Sequence, residues 1–252
     1  MKRAWLVFPV AAAAALYAGV ALAQSESGTD TDVIWSADHE TGDLSQWTAD
    51  DHGGPFNTGT GTESASTDVA HTGRYSAVLT IRGAHGAAQA ARIFRWDTED
   101  EWGTDAYYSA WFYFPQRYRP AVWWNIFQFK SEPDGASQSE PAWSINVGNR
   151  GSGQMYLYLW DAITEHSFGQ TMADLPEKKW VHLEAYYVRA VDSEGRITVW
   201  QDGRQLWDVQ NVQTTFADNL FWSVNSYTDD ITPSTVTIYV DDAAITHTRQ
   251  SP

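Results

Sequence analysis

The sequence predicts an all-β sandwich, and three observations support this fold class. Apolar and polar residues alternate with period two in many short runs, as they do in strands with one buried face. After the N-terminal apolar run, no stretch shows a convincing 3.6-residue period, so we expect little helix. Gly, Asp and Asn separate the runs, which is typical of short strands joined by turns.

The first residues have the pattern of a secretory signal peptide. Lys2 and Arg3 precede an apolar run, and Ala21-Leu22-Ala23 provides a small-residue cleavage site. A membrane anchor is the alternative, because the run approaches spanning length, but the polar stretch that follows favours cleavage. We therefore expect a signal peptide over 1–23, a flexible lead-in over 24–32, a single domain over 33–252, and a secreted protein.

Composition narrows the range of partners. The net charge of −16 argues against nucleic acid, whose phosphates need a basic surface. Cysteine is absent, so stability must come from a core without disulfides. Fourteen tryptophans is a high number for 252 residues, and indole rings stack well on sugars. We expect a polysaccharide partner, no nucleic acid, no membrane contact after signal cleavage, and a monomer.

About a dozen strands follow the lead-in. They are predicted within 33–47, 75–82, 89–96, 107–131 (two strands), 142–148, 154–161, 180–190, 196–201, 205–209, 220–227 and 235–246. Asp202-Gly203 is the clearest hairpin turn, since type I′ geometry needs positive φ at both central residues.

The two strands within 107–131 are predicted to be neighbours, with two polar and aromatic faces side by side. In the second strand Phe127 and Phe129 are expected to face inward, and Trp124, Gln128 and Lys130 outward. The same alternation in five strands places a larger set on one face of one sheet, as a floor for sugars. That set is Trp111, Tyr113, Gln128, Lys130, Asn146, Tyr156, Tyr158 and Tyr227.

Four segments carry a family resemblance: WWNIFQFK, PEKKWVHLEAYYVRA, GRITVWQDGRQLWDV and VTIYVDDAAI. They resemble heparin lyase I-like polysaccharide lyases, a group similar to glucuronan lyase and to jelly-roll alginate lyases. The resemblance implies a concanavalin-like β-jelly-roll sandwich of two antiparallel sheets with a concave glycan groove. It also implies cleavage of a uronic-acid-containing glycan by β-elimination, which needs a carboxylate neutraliser, a base and an acid.

The resemblance also implies roles for five residues. Gln128 stands at the neutralising amide, and Lys130 replaces the histidine of the alginate lyase pattern. Tyr227 matches the catalytic tyrosine, Arg92 matches an arginine of an early strand, and His85 could supply the missing imidazole. Each could instead be an ordinary packing or surface residue.

Of two other functions, one stays open and one is disfavoured. A non-catalytic carbohydrate-binding domain is the main alternative, because the aromatic faces are better supported than the catalytic set. A hydrolase of this shape needs paired acids on a strand, and Asp97, Glu99 and Glu101 are better interpreted as an acidic loop. His182 is interpreted as structural.

A structural calcium ion is also expected, with no organic cofactor. The run Asp38-His39-Glu40-Thr41-Gly42-Asp43 resembles the opening of calcium-binding jelly rolls, and Val240-Asp241-Asp242 resembles the terminal strand that meets it. Glu40 and Asp241 would supply hard oxygen ligands from distant segments. Alternatively, these acids cap turns.

Overall fold

The computed structural model describes residues 32–97, 101–250 and 252. The predicted signal peptide and all but the last residue of the lead-in lie outside the described residues. Within the described ranges, two 3₁₀ turns, Ser45–Trp47 and Ala49–Asp51, are the only helical segments, and no helix is long and apolar enough to cross a membrane. The all-β prediction is confirmed.

Seventeen strands, numbered β1 to β17 in chain order, form in the described part of the chain. They are Val33–Ala37, Gly53–Pro55, Thr62–Ser66, Ser76–Ile81, Gln89–Asp97, Asp105–Tyr113, Arg119–Pro120, Trp124–Ser131, Glu140–Asn149, Met155–Asp161, His166–Phe168, Trp180–Val188, Gly195–Gln201, Arg204–Val212, Leu220–Thr228, Ile231–Thr232 and Val236–Thr246.

Two antiparallel sheets contain nearly all of these strands. The cleft sheet has the order β11-β10-β9-β8-β15-β5-β2. The back sheet has the order β14-β13-β12-β6-β17-β4-β3, with β1 also paired to β17. The strands β7 and β16 form a small separate ribbon. The predicted jelly-roll sandwich is therefore the observed architecture, and the Asp202-Gly203 turn has the expected positive φ at both residues.

Aromatic rings that face each other across the two sheets fill the core. The ring of Phe129 in β8 lies 3.9 Å from that of Tyr187 in β12, and Tyr108 in β6 lies 5.6 Å from Trp222 in β15. All four side chains are at most 1% exposed. Large rings contribute much apolar area on burial, so this layer fixes the two sheets against each other in a chain that has no disulfides.

The predicted pairing of the two strands within 107–131 is wrong. Strand β6 lies between β12 and β17 in the back sheet, whereas β8 lies between β9 and β15 in the cleft sheet. The side chains of Trp111 and Tyr113 therefore lie on the outer face of the back sheet and do not share a face with Gln128. Alternation shows which side chains of one strand face inward, but it does not show which sheet contains the strand.

The predicted outward position of Trp124 is also wrong. A β-bulge lies between Asn125 and Phe127, where two steps along β8 match one step along β9. The extra residue, Ile126, reverses the alternation, so Trp124 packs in the core against Phe114 and Asn125 faces outward. The bulge thus places an amide on the outer face where simple alternation places a tryptophan.

Candidate functional site

A cleft of about 790 Å³ lies on the outer face of the cleft sheet. Its floor comes from β8, β9, β10 and β15, and one wall comes from the loop between β7 and β8. The lining residues are Pro120, Ala121, Val122, Trp123, Asn125, Gln128, Pro141, Ser144, Asn146, Gly148, Asn149, Tyr156, Tyr158, Trp160, Ala162, Ser167 and Tyr227. Of the sequence-predicted residues, the lining brings together Tyr227, Gln128, Asn146, Tyr156 and Tyr158.

Strand register arranges the floor in two rows that cross the sheet. The first row consists of cross-strand partners in the order Tyr227, Asn125, Asn146 and Tyr158. The second consists of Ser223, Gln128, Ser144 and Trp160 in the same strand order. Partners within a row have Cβ atoms about 5 Å apart. The rows are two residues, or about 7 Å, apart along β9 and β10, and they diverge to three residues along β8 and four along β15. A chain of sugars can therefore contact both rows.

The ring of Tyr227 is held between two other side chains. Trp123 meets it edge-on at 4.6 Å, and the guanidinium carbon of Arg92 lies 4.8 Å from its centre. Arg92 is 6% exposed, and it donates to the Phe56 carbonyl (2.8 Å) and the Thr58 hydroxyl (2.9 Å). These contacts fix the tyrosine ring, while its hydroxyl group makes no hydrogen bond with the described residues.

Arg92 is close to Tyr227 but is absent from the cleft lining. Burial lowers the pKa of Arg92, while its proximity to Tyr227 acts in the opposite direction. Its guanidinium also lies 4.4 Å from the centre of the Phe56 ring. In this position Arg92 contacts the face of the Tyr227 ring without lining the cleft itself.

Several polar groups on the floor have no partner among the described residues. The buried atoms Gln128 Oε1, Ser223 Oγ and Asn225 Oδ1 make no hydrogen bond. Leaving such a group unpaired costs about 1–3 kcal/mol, so folded proteins keep few of them. Of the three residues, Gln128 lines the cleft, whereas Ser223 and Asn225 are fully buried and lie outside the lining, so Gln128 is the one that a bound sugar can contact directly.

Tyr156 and Tyr158 stand on the far side of the floor, with ring centres 6.5 Å apart. The guanidinium of Arg150 lies 4.6 Å from the Tyr156 ring centre, and it is anchored by Asp174 and by the carbonyls of residues 170 and 173. Burial, with a smaller effect of Tyr156, raises the pKa of Tyr158 to about 12. Tyr158 is therefore protonated at neutral pH, so it can stack on a sugar and form hydrogen bonds but is unsuited to act as a base.

Lys130 and His85 are not part of the lining. The Lys130 ammonium lies 5.6 Å from the ring centre of Phe221 and 5.9 Å from that of Phe56. Burial, followed by the positive charge of Arg92, lowers its pKa. His85 lies on an exposed loop and contacts Asp230 at 3.0 Å. The structure thus brings neither residue into the cleft beside Tyr227.

Among the described residues, the lining contains no aspartate or glutamate, although the chain has a net charge of −16. Within the acidic run considered for a hydrolase, Asp97 is buried, and Arg189 donates to it at 3.1 Å. Glu99 lies outside the described residues. Carboxylate-assisted hydrolysis needs two acids that flank the scissile bond, and the described part of the cleft offers neither.

Trp111 and Tyr113 instead belong to an aromatic cluster on the back sheet. Trp111 stacks on His71 at 3.7 Å and contacts His182 at 4.9 Å. Tyr113 packs against Trp180 at 5.5 Å. Their predicted place in the glycan floor is corrected by the sheet order, whereas His182 does lie on the back sheet as expected.

The carboxylates of the two residues predicted to hold calcium accept hydrogen bonds from N–H groups of the protein. Glu40 Oε1 accepts from the backbone N–H groups of Arg74 and Tyr75, both at 2.8 Å. Asp241 is fully buried and contacts the His39 ring at 3.2 Å, the Asp242 N–H at 2.9 Å and the His71 N–H at 2.8 Å.

The His39 ring has a defined proton arrangement. Trp47 Nε1 donates to His39 Nε2 at 3.0 Å, so Nδ1 carries the proton that points to Asp241. N–H groups donate hydrogen bonds to both carboxylates and place partial positive charge beside them, so the residues present do not fit a cation. In the described ranges, no group of three or more His, Cys, Asp or Glu side chains could hold a metal ion.

Sequence reasoning missed several lining residues, above all Asn125, Trp123 and Trp160. Asn125 was hidden by the bulge, and Trp123 belongs to a loop that alternation does not describe. Trp160 had a usable signal, because it alternates with Tyr156 and Tyr158 in β10.

Solved structures with the same fold include two lyases and one protein that is not described as a lyase. An endo-β-1,4-glucuronan lyase from the fungus Trichoderma reesei has a TM-score of 0.62 and 17% identity, covering 79% of this chain and 92% of its own. The PL-14 alginate lyase from Aplysia kurodai has a TM-score of 0.56 and 14% identity, covering 87% and 99%. The cellulose-induced protein Cip1 has a TM-score of 0.55 and 19% identity, covering 86% and 99%.

At such identities these likenesses show the fold alone. No curated protein matches the chain. The family described as polysaccharide lyase matches residues 39–244, which includes both sheets and the whole cleft floor. With that match over most of its length, and with an open tyrosine- and amide-lined cleft on one sheet, the chain belongs to the polysaccharide lyase family.

Proposed function

We propose that the protein is a secreted lyase that cleaves a uronic-acid-containing polysaccharide by β-elimination. The observation that carries the proposal is the chemistry of the cleft lining, in which the described residues offer a tyrosine hydroxyl and several amides but no carboxylate. An anionic sugar would meet no negative charge there, although the surface of the protein is strongly acidic. Secretion is supported by the signal-peptide pattern at residues 1–23.

The proposed reaction breaks the bond between C4 and its glycosidic oxygen. The proton on C5 leaves, a double bond forms between C4 and C5, and the departing oxygen takes up a proton. Tyr227 serves as the base or the acid beside C5, since it lines the cleft, its ring is fixed by Arg92 and Trp123, and its hydroxyl group has no hydrogen-bond partner among the described residues. Amides of the floor, Gln128 among them, hold the sugar carboxylate and stabilise the charge that develops on it.

A non-catalytic carbohydrate-binding protein is the second candidate. The amides of the lining and the half-buried rings of Tyr156, Tyr158 and Trp160 support glycan binding without requiring turnover. Both candidates use the same cleft, so only the role of the Tyr227 hydroxyl separates them.

Changing Tyr227 to Phe tests this role, because the substitution removes one oxygen and keeps the ring between Arg92 and Trp123. We expect formation of unsaturated product to fall about 10²- to 10⁴-fold, with glycan affinity and melting temperature nearly unchanged. Tyr239→Phe is the matched control, since this tyrosine lies on the back sheet and bonds Asp68. A Tyr227→Phe protein that turns over at the parent rate would remove Tyr227 from the mechanism.

A further inference from the structure

The bulge in β8 presents an amide that the sequence did not single out, that of Asn125. It is the direct cross-strand partner of Tyr227, which places their Cβ atoms about 5 Å apart. Gln128 lies in the second row, three residues or about 10 Å further along the strand. Of the two residues, Asn125 is the nearer to Tyr227 in the register of the sheet.

The orientation of the Asn125 amide is set by a buried neighbour. Asn225 is fully buried, and its Nδ2 donates to Asn125 Oδ1 at 2.7 Å. The oxygen of Asn125 is thus engaged beneath the floor. Its Nδ2 group, which bonds no described residue, is the part that remains for the cleft, and Asn125 is 4% exposed where it lines that cleft.

The next amide in the row differs in this respect. Asn146 uses its Nδ2 to donate to Ser144 Oγ at 2.9 Å and to the Ser144 carbonyl at 3.3 Å. Its donor is therefore partly engaged, and it lies one strand further from Tyr227. Asn125 and Asn146 line the same cleft with the same side chain, yet only Asn125 offers a fully available N–H donor beside the tyrosine.

The geometry points to Asn125 as a substrate-contacting catalytic residue that donates to the carboxylate of the sugar held at Tyr227, with Asn225 as its positioning residue. This inference rests on the proposed function. Donation to the carboxylate stabilises the negative charge that spreads onto its oxygens as the C5 proton leaves, and it is made next to the group that handles the proton. Gln128 then contacts the same sugar or its neighbour from the second row.

The test measures binding, so it does not depend on turnover. In the Tyr227→Phe background, affinity is measured for tetrasaccharides of β-1,4-glucuronan and of alginate, and for the same tetrasaccharides with their carboxyl groups reduced to alcohols. We expect the parent to prefer the acidic form of at least one pair. Asn125→Ala should lower that preference about 10- to 100-fold, as expected for loss of a hydrogen bond to a charged group, and Asn125→Asp should lower it further by repulsion.

Asn146→Ala is the matched comparison, and it should weaken binding of the acidic and reduced forms by a similar factor. If Asn125→Ala does not fold, Asn125→Ser, which keeps a small side chain, replaces it. A parent without any preference, or an Asn125→Ala protein that keeps it, overturns the inference. If instead the preference depends on Asn125 but the wild-type protein releases no unsaturated sugar, elimination is refuted while the carboxylate contact stands.

Discussion

The two outer faces of the sandwich are both rich in aromatic rings, but their polar groups are used differently. On the back sheet, the polar groups around the rings are engaged by the protein: His71 contacts Asp242 at 2.6 Å, and Glu184 accepts from Arg249 at 2.9 Å. On the cleft sheet, Gln128, Ser223 and Asn225 each keep a buried polar atom without a partner among the described residues. The comparison teaches that two faces with similar aromatic content can differ in how many of their polar side chains the protein itself engages.

The largest effect on stability is expected on the back sheet, at Asp241. Its buried carboxylate accepts from His39 and from two backbone N–H groups, which would lose their partner in Asp241→Ala. We expect the free energy of unfolding to fall by about 3–5 kcal/mol, measured by urea denaturation. Gln128→Ala, on the cleft face, should cost much less, because its oxygen already has no partner. Equal losses at the two positions would contradict the comparison.

The sequence predicts the strands and most of their inward faces, because burial of one face imposes period two. In β10 and β15 the alternation continues without interruption, and Tyr156, Tyr158 and Tyr227 face outward as expected. In β8 a single extra residue reverses the alternation, which hides Asn125. Sheet membership depends on contacts between distant segments, so the sequence pattern of β6 does not reveal that Trp111 lies on the back sheet.

Aromatic residues of the two faces should differ in their effect on glycan binding. Trp160 is half-buried in the cleft, so Trp160→Ala should weaken binding by about 1–3 kcal/mol if stacking on a sugar resembles other ring stacking. Trp111→Ala should leave affinity unchanged and lower the melting temperature, because the ring packs against His71 and His182. Calorimetric titration with a bound oligosaccharide measures the first effect. Weaker binding by Trp111→Ala would restore the sequence-based placement.

The back sheet should also respond to acid through His182. Burial, with smaller effects of His71 and Arg249, lowers the pKa of His182 from 6.5 to about 4. Between these values the unfolded chain binds a proton that the folded protein does not, so stability is complete above about pH 6.5 and decreases as the pH falls toward 4. We expect this effect to lower the free energy of unfolding by about 1–2 kcal/mol at pH 5. The melting temperatures of the wild type and of His182→Gln should approach each other as the pH falls from 6.5 toward 4. A difference in melting temperature that does not change with pH would exclude His182 as the cause.

The smallest effect is expected from calcium. An ion between Glu40 and Asp241, as the sequence predicts, would make chelator lower the melting temperature and calcium restore it. The N–H donors around both carboxylates lead us to expect equal melting temperatures in calcium and in chelator. A calcium-dependent shift would show that these side chains rearrange around an ion.

The most direct test of the central claim compares two products of the wild-type protein in one reaction. Uronate-containing and neutral glycans are incubated with the protein, and both new reducing ends and the ultraviolet absorbance of unsaturated uronate are counted. Elimination in the acid-free cleft predicts one unsaturated end for every new reducing end, from uronate-containing glycans only. Reducing ends without the chromophore would indicate hydrolysis, and binding without either product would indicate a carbohydrate-binding protein; each result would contradict the proposed lyase.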